Sequence, residues 1–353
     1  MRLLPSLLAC AAALLAPAPA RAGLLFALVD PVVNETQPSF VGLISPPNAS
    51  IAPQALVSPP RNLQGAENLV ALGAGRTLFT LYVNFSTSRM DLVGIDLESG
   101  ALLSQVPTPL PVGGIEGEMQ QMAFVPATGE VVLLGALEND PAAELHVFAV
   151  DPASGAVRNI TSVSPKQFPG FLGNFAGFSP VSNAFWFQLR NASNEEVMVS
   201  FHVDVTTGRV KTTAGCFFNT ATYDAARDEF VGMAVFRNGT TIKDVFQAVA
   251  RVPANASRPC EIGPIAFSEG EGPFGAVAGS LIAFDAEARL IYTYVISHDL
   301  SYYELIEVHS ETGRVTPMLP RILDAAALPT AIVVSALCGA GGAGGVGGVG
   351  APC

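Results

Sequence analysis

Asp96-Leu97-Glu98-Ser99-Gly100, Asp151-Pro152-Ala153-Ser154-Gly155, Asp204-Val205-Thr206-Thr207-Gly208 and His309-Ser310-Glu311-Thr312-Gly313 are four versions of one short segment. Each follows an apolar run (Leu92 to Ile95, Leu145 to Val150, Val199 to Val203, Leu305 to Val308) and precedes another strand-like run. A leading Asp can fold its carboxylate back onto backbone N–H groups, and the closing Gly supplies the positive φ of a tight hairpin. Each segment therefore predicts a β-hairpin. Their glycines, at 100, 155, 208 and 313, recur at one interval and then at about twice that interval.

Between these hairpins runs a second set: Leu69 to Leu72 with Thr77 to Val83, Met122 to Val125 with Val131 to Leu134, and Phe175 to Phe178 with Ala184 to Leu189. Ala221 to Tyr223 with Glu229 to Val235 and Leu281 to Phe284 with Leu290 to Ile296 continue it. The fourth unit replaces the Asp-Gly turn by Pro253-Ala254-Asn255-Ala256-Ser257. Each unit is thus four antiparallel strands in roughly 50 residues, and self-similarity at that period predicts an all-β fold, a β-propeller. Complete units lie near residues 68–107, 119–162, 174–213, 218–263 and 279–317. Leu24 to Ile44 supplies one further hairpin, and Asp324 to Leu337 (Ala326 to Leu328, then Ala331 to Leu337) supplies its complement. Joined, they predict a sixth blade that closes the ring and leaves no inner sheet edge open. The Pro-rich stretch from Pro46 to Pro60 reads as a surface loop. No run sustains a 3.6-residue apolar period, which argues against helices.

The 353 residues are 50% hydrophobic and 14% charged, with a formal net charge of −12. Arg2, the apolar stretch Leu3 to Leu15 and Ala20-Arg21-Ala22 form a secretory leader with a small-x-small cleavage site. The apolar stretch is too short to span a bilayer. The expected organisation is a leader over 1–22, a six-bladed propeller over 23–338 and a glycine-rich, disordered tail over 339–353. The acidic balance without a basic cluster argues against nucleic acid and anionic membrane surfaces. Seven N-x-[ST] sequons, at Asn34, Asn48, Asn84, Asn159, Asn191, Asn238 and Asn255, support a secreted, extracellular glycoprotein. Cys10 departs with the leader, and Cys216, Cys260, Cys338 and Cys353 remain. Four cysteines allow three connectivities, and the expected disulfide is Cys216–Cys260.

Ligands of propellers sit where the innermost strands begin. Aligning the units on the residue that closes the first strand (Leu72, Phe124, Phe178, Tyr223, Phe284, Leu328) places Asn68, Gln120, Asn174, Asn219, Ser280 and Asp324 four residues earlier. All six carry side-chain oxygens, and an offset of four keeps them on one face of a regular strand. They are the expected ligand-binding ring at the channel mouth. Such residues could hydrogen-bond ordered water and loop backbone, or hold a small ligand or Ca²⁺, which takes carboxylate and amide oxygens. Glu116, Glu118, Glu269 and Glu271 in the crossing loops are expected on the same face.

The blade pattern resembles six-bladed calcium-dependent hydrolases such as gluconolactonases, paraoxonases and diisopropyl fluorophosphatase. The resemblance implies a channel calcium, with Asn174, Asn219 and Asp324 as the metal ligands. Asn68 stands where those enzymes carry a Glu, and Ser280 where they carry an Asp. The D-x-x-[ST]-G hairpins also resemble those of quinoprotein and YVTN-type blades, although Trp186 is the only tryptophan. No G-x-S-x-G occurs, so a nucleophile elbow of that type is absent. His146, His202, His298 and His309 are too dispersed for a recognisable metal spacing. The reading the sequence supports is a non-catalytic module that binds a small ligand or an extracellular protein. A calcium-dependent hydrolase is the alternative.

Overall fold

The computed structural model describes residues 23–29, 39–45, 50–57, 63–73, 77–84, 86–97, 99–111, 121–136, 144–163, 176–191, 194–238, 245–270, 273–322 and 331–336. In chain order its strands begin with β1 (Gly23–Val29), β2 (Ser39–Ser45) and β3 (Ser50–Val57). Blade I follows as β4 (Leu63–Leu72), β5 (Thr77–Asn84), β6 (Arg89–Asp96) and β7 (Leu102–Pro111). Blade II is β8 (Gln121–Val125), β9 (Glu130–Ala136), β10 (Leu145–Val150) and β11 (Val157–Val163). Blade III is β12 (Gly177–Ser179), β13 (Ala184–Asn191), β14 (Asn194–Asp204) and β15 (Val210–Ala214). Blade IV is β16 (Phe217–Asp224), β17 (Glu229–Arg237), β18 (Val245–Pro253) and β19 (Glu261–Ser268). Blade V is β20 (Phe274–Asp285), β21 (Leu290–Ser297), β22 (Tyr303–His309) and β23 (Val315–Ile322), and β24 (Ala331–Ala336) comes last.

The fold is a β-propeller of four-stranded antiparallel blades. The repeat predicts six blades; the structure has five, each made of consecutive strands, and one more four-stranded sheet ordered β24-β1-β2-β3. That terminal sheet departs from the sequence reading. Three of its strands come from the N-terminal side and one from the C-terminal side, where two and two are expected. β24 pairs antiparallel with β1, from Gly23↔Ala336 to Leu28↔Ala331. The segment Ala326 to Leu328, expected as a strand, lies outside the described residues. The third N-terminal strand, β3, runs through the Pro-rich stretch expected as a loop. Pro53 fits because it sits on an outermost strand at a bulge, where Val41 faces Ala55 and Gly42 faces Pro53. Prolines also punctuate the outermost strands β7 (Pro107, Pro109, Pro111), β19 (Pro264) and β23 (Pro317, Pro320). A proline has no N–H to offer, so these edges are poor templates for a further strand.

The innermost strands β4, β8, β12, β16, β20 and β24 touch in that order, and β24 returns to β4. Cores form between successive blades. Val132, Leu134 and Val147 of blade II pack on Phe185, Phe187 and Phe201 of blade III. Val231 and Met233 of blade IV pack on Ile291, Val295 and Ile306 of blade V. A middle strand with a blade on each face must be apolar on both faces, and β10 is buried throughout. Outermost strands such as β15 carry only half-buried and exposed residues. This layering is why half the residues can be hydrophobic.

The hairpins that set the period have one geometry. Gly100, Gly155, Gly208 and Gly313 have φ of 67°, 71°, 71° and 70°. Their N–H groups donate to the carbonyls of Asp96, Asp151, Asp204 and His309, each at 2.8 Å. Asp96 Oδ1 accepts the N–H of Ser99 (2.6 Å), Asp151 Oδ1 that of Ala153 (2.9 Å), and Asp204 Oδ1 those of Thr206 and Thr207 (3.0 and 2.8 Å). In the fourth copy His309 replaces the Asp, and its Nδ1 accepts the N–H of Glu311 (3.2 Å). Hydrogen bonds of Ser154 and Ala153 to Asp151 hold its carboxyl below the usual range.

At the seam between blades III and IV the glycine turn is missing, and other groups tie the blades together. Cys216 and Cys260 form a disulfide, as the sequence predicts, and the Cys260 N–H donates to the Ala214 carbonyl (2.9 Å). His202 Nδ1 lies 3.1 Å from the Ala254 carbonyl, which makes Nδ1 the protonated nitrogen. Burial is the main cause that pushes the His202 pKa down to about 4, with Lys211 adding a smaller effect in the same direction. The folded value lies below the ordinary 6.5, so the unfolded chain takes up a proton that the folded one refuses. Stability is then complete above pH 6.5 and falls as the pH drops toward 4, by about 3 kcal/mol from this group. Urea titrations across that window should show this slope, and His202→Gln should flatten it.

Candidate functional site

Strands alternate in direction, so every innermost strand begins at one face of the ring, the upper face. The turns between second and third strands, where Asn84, Asn191 and Asn238 stand, lie on that face too. The lower face carries the glycine hairpins and the turns between first and second strands.

Of the expected ring, Gln120, Asn174 and Asp324 lie outside the described residues, while Asn68, Asn219 and Ser280 lie within β4, β16 and β20, inside the strands and not at their first residues. The other three positions share an irregularity of the backbone. In β16, Phe218 faces Ala234 and Thr220 faces Met233, so Asn219 is the extra residue of a β-bulge. In β4 the register jumps from Gly65↔Tyr82 to Val70↔Thr80, and Asn68 lies within the excess. In β20 it jumps from Val277↔Val295 to Ile282↔Thr293, with Ser280 inside. The expectation of regular strands is therefore corrected at these positions: each leaves the ladder opposite the middle of the neighbouring strand. Bulges bend a strand and re-aim its side chains, and they concentrate at rims and binding sites. Asn219 is half-buried.

The bulge at Asn219 depends on the strand beside it. Gly232 of β17 faces Ala221, and a Cβ at Gly232 would sit 2.0 Å from the Thr220 carbonyl oxygen. Only a residue without a side chain lets the bulged carbonyl come so close. Opposite the irregular part of β20, Tyr294 buries its hydroxyl with no hydrogen-bond partner among the described residues. That burial raises its pKa. In the terminal sheet Ser335 faces Leu24, the second residue of β1. Leu72, Phe124, Phe178, Tyr223 and Phe284 likewise face the second residue of the neighbouring strand. Four residues before Ser335 stands Ala331, which carries no side-chain oxygen.

Elsewhere on the upper face, between blades IV and V, Gln247 Nε2 donates to Glu269 Oε1 (2.5 Å), and His298 Nδ1 lies 3.0 Å from the Glu269 carbonyl. Burial raises the Glu269 pKa, against the hydrogen bond from Gln247 and the charge of Arg237. Gln247 itself is fully buried. Glu116, Glu118 and Glu271 lie outside the described residues. Asp299, in the turn after β21, accepts from the hydroxyls of Ser297 and Ser301 (2.8 and 2.6 Å), and these bonds lower its pKa to about 2.

The lower face carries polar ties that periodicity alone does not reveal. Asp228 accepts from Ser179, Ser182 and Tyr223, which joins blades III and IV. Fully buried Asp224 pairs with Arg289 at 2.7 Å. Glu311 gathers Arg251, Arg289 and Arg227 at 2.9, 3.1 and 3.0 Å, which joins blades IV and V. Their sequence signal is only an acidic residue at each turn, and the cationic partners come from other turns (Arg227, Arg289) and from β18 (Arg251), far along the chain. His146 lies in blade II and His202 in blade III, while His298 and His309 stand at opposite ends of blade V. Among the described residues no group of three or more His, Cys, Asp or Glu could hold a metal.

No helix among the described residues is long and apolar enough to cross a membrane. No family model matches the chain, and no curated protein matches it. Solved structures do. TolB from Acinetobacter baumannii is similar over 92% of this chain and 70% of its own, at 13% identity and a TM-score of 0.55. A protein described as a putative 6-phosphogluconolactonase from Bacteroides uniformis is similar over 89% of this chain and 100% of its own, at 12% identity and a TM-score of 0.52. A chain of a nidogen/laminin complex is similar over 89% of this chain and 98% of its own, at 10% identity and a TM-score of 0.51. At these identities the likeness is one of fold, and the propeller architecture is what this chain shares with them.

Proposed function

We propose that this chain is a secreted, glycosylated β-propeller that binds a small ligand or an extracellular partner at the upper mouth of its ring, without catalysis of its own. The observation that carries this reading is the shared irregularity at Asn68, Asn219 and Ser280, where three innermost strands leave their ladders at one register. Gln120 and Asn174 belong to the same set by sequence. The terminal sheet acts as a sixth blade in this reading, since β24 touches both β20 and β4. Propellers host enzymes, receptors and scaffolds alike, and the solved structures of this shape span a putative lactonase and a complex with laminin.

The leader over 1–22 and the sequons support secretion. The calcium-dependent hydrolase reading rests on Asn174, Asn219 and Asp324, of which Asn219 alone is described. Calcium titration followed by thermal unfolding, together with lactone and aryl-ester assays, separates the two. A shift with calcium that chelator reverses, accompanied by turnover, would replace the non-catalytic reading. Gly232→Ala tests the site itself. The added Cβ should drive Thr220 from its bulged position, cost about 2–4 kcal/mol of stability and weaken ligand binding at the mouth. Asn219→Ala, which leaves the backbone alone, should weaken binding with little change in stability. If a bound ligand is indifferent to both substitutions, the site lies elsewhere.

A further inference from the structure

The sequons are alike in sequence but not in structure. Asn84 is 8% exposed, and both ends of its amide are engaged: Nδ2 donates to Asp91 Oδ2 (3.1 Å), and Oδ1 accepts the N–H of Ser86 (3.1 Å). Asp91 is fully buried, and its second amide donor is Gln105 Nε2 (2.8 Å). Asn84 thus serves the interior of blade I, where it helps satisfy a carboxylate that has no access to water. Asn255 also forms the tight turn in which its Oδ1 accepts the N–H of the sequon's third residue, Ser257 (2.9 Å), but it is exposed. Its turn is the one that lacks the glycine, on the lower face of blade IV. Asn159 is exposed on β11, the outermost strand of blade II. Its Nδ2 lies 3.1 Å from His146 Nδ1, a contact that needs only one of the two amide hydrogens.

We propose that Asn159 and Asn255 carry N-linked glycans in the mature protein and that Asn84 does not; this rests on the secreted reading given above. In the linkage reaction the donor is a polyprenyl-pyrophosphate oligosaccharide of the secretory pathway. Its sugar C1–O bond to pyrophosphate breaks, a C1–Nδ2 bond forms, Nδ2 gives up one proton, and the lipid pyrophosphate leaves with the bonding pair. Transfer precedes folding, so the fold acts as a filter. A chain with a sugar at Asn84 cannot seat that side chain beside Asp91, whereas chains with sugars at Asn159 and Asn255 fold unhindered. The two glycans stand on the outer rim and the lower face, and the upper face of blade I stays uncovered for a partner. The glycan on β11 also blocks strand addition at an edge that has no proline.

The test expresses the full chain in a secreting eukaryotic cell and maps glycosylated peptides of the protein recovered from the medium. Expected are modified Asn159 and Asn255 and unmodified Asn84. A modified Asn84 in folded protein, or bare Asn159 and Asn255 beside other occupied sequons, overturns the proposal while leaving secretion intact. Retention of the chain in the cell with every sequon bare overturns both. In a second arm, Ser257→Ala, which removes the sequon but keeps the Asn255 amide and the N–H it accepts, should remove the mass of one glycan without changing the thermal midpoint. Asn84→Gln should remove none and lower the midpoint. Loss of a glycan mass with Asn84→Gln sinks the proposal, and if that variant is not secreted the map of the unaltered protein decides.

Discussion

Gly155→Ala is expected to destabilise the propeller by about 3–5 kcal/mol, read as a fall of roughly 5–10 °C in the thermal midpoint. Two costs combine. The residue sits at φ 71°, a conformation that charges any L-side chain about 1–2 kcal/mol. Its Cβ would also lie 2.1 Å from the Pro107 carbonyl oxygen, in the outermost strand of the preceding blade. Neither backbone can yield cheaply, because the hairpin is closed on Asp151 and Pro107 belongs to another sheet. Gly129→Ala is the control. Gly129 has φ 72° and nothing within 4 Å of an added Cβ, so it should lose only the conformational share, about 1–2 kcal/mol. Equal losses in chemical unfolding of the two variants would show that the seam contact contributes nothing. The contact recurs: a Cβ at Gly208 would meet the Ile160 carbonyl at 2.6 Å, and one at Gly313 the Ile265 carbonyl at 2.4 Å. The turn glycine that ends one hairpin is also what lets that hairpin rest on its neighbour.

Loss of the Cys216–Cys260 disulfide, by Cys216→Ala with Cys260→Ala, is expected to cost about 4 kcal/mol from loop closure over its 44-residue separation. The position of the bond explains why one seam has it. Blade IV alone among blades I to V lacks the glycine in its lower hairpin; Ala256 takes positive φ (56°) instead. In place of a glycine contact, this hairpin is tied to blade III by the disulfide, the Cys260–Ala214 hydrogen bond to the end of β15 and the His202–Ala254 contact. Proteolysis of the double variant should begin near the seam between blades III and IV. Cleavage spread evenly over the blades would argue that the bond acts only by restricting the unfolded chain and does not secure this seam.

The amino-acid sequence alone determined what depends on near neighbours: the strand runs, the Asp-to-Gly hairpins and a blade-length period. A short carboxylate folding onto the next N–H groups, and a glycine accepting positive φ, act within five residues wherever the chain goes. The Cys216–Cys260 pairing was legible as well, as the chosen one of three connectivities that four cysteines allow. Closure was legible only in outline. The terminal sheet takes three strands from one end and one from the other, because proline is tolerated on an outermost strand and β3 could form where a loop is the local expectation. The proposed site is written in the sequence as a register of polar residues, but the irregularities at Asn68, Asn219 and Ser280 are not. A bulge reflects what the adjoining strand permits, as Gly232 does for Asn219, and that permission is set across the sheet. The arginine clusters around Asp224 and Glu311, the engaged amide of Asn84 and the second use of the turn glycines were likewise decided only by tertiary structure, since each joins groups whose distance along the chain bears no relation to their distance in space.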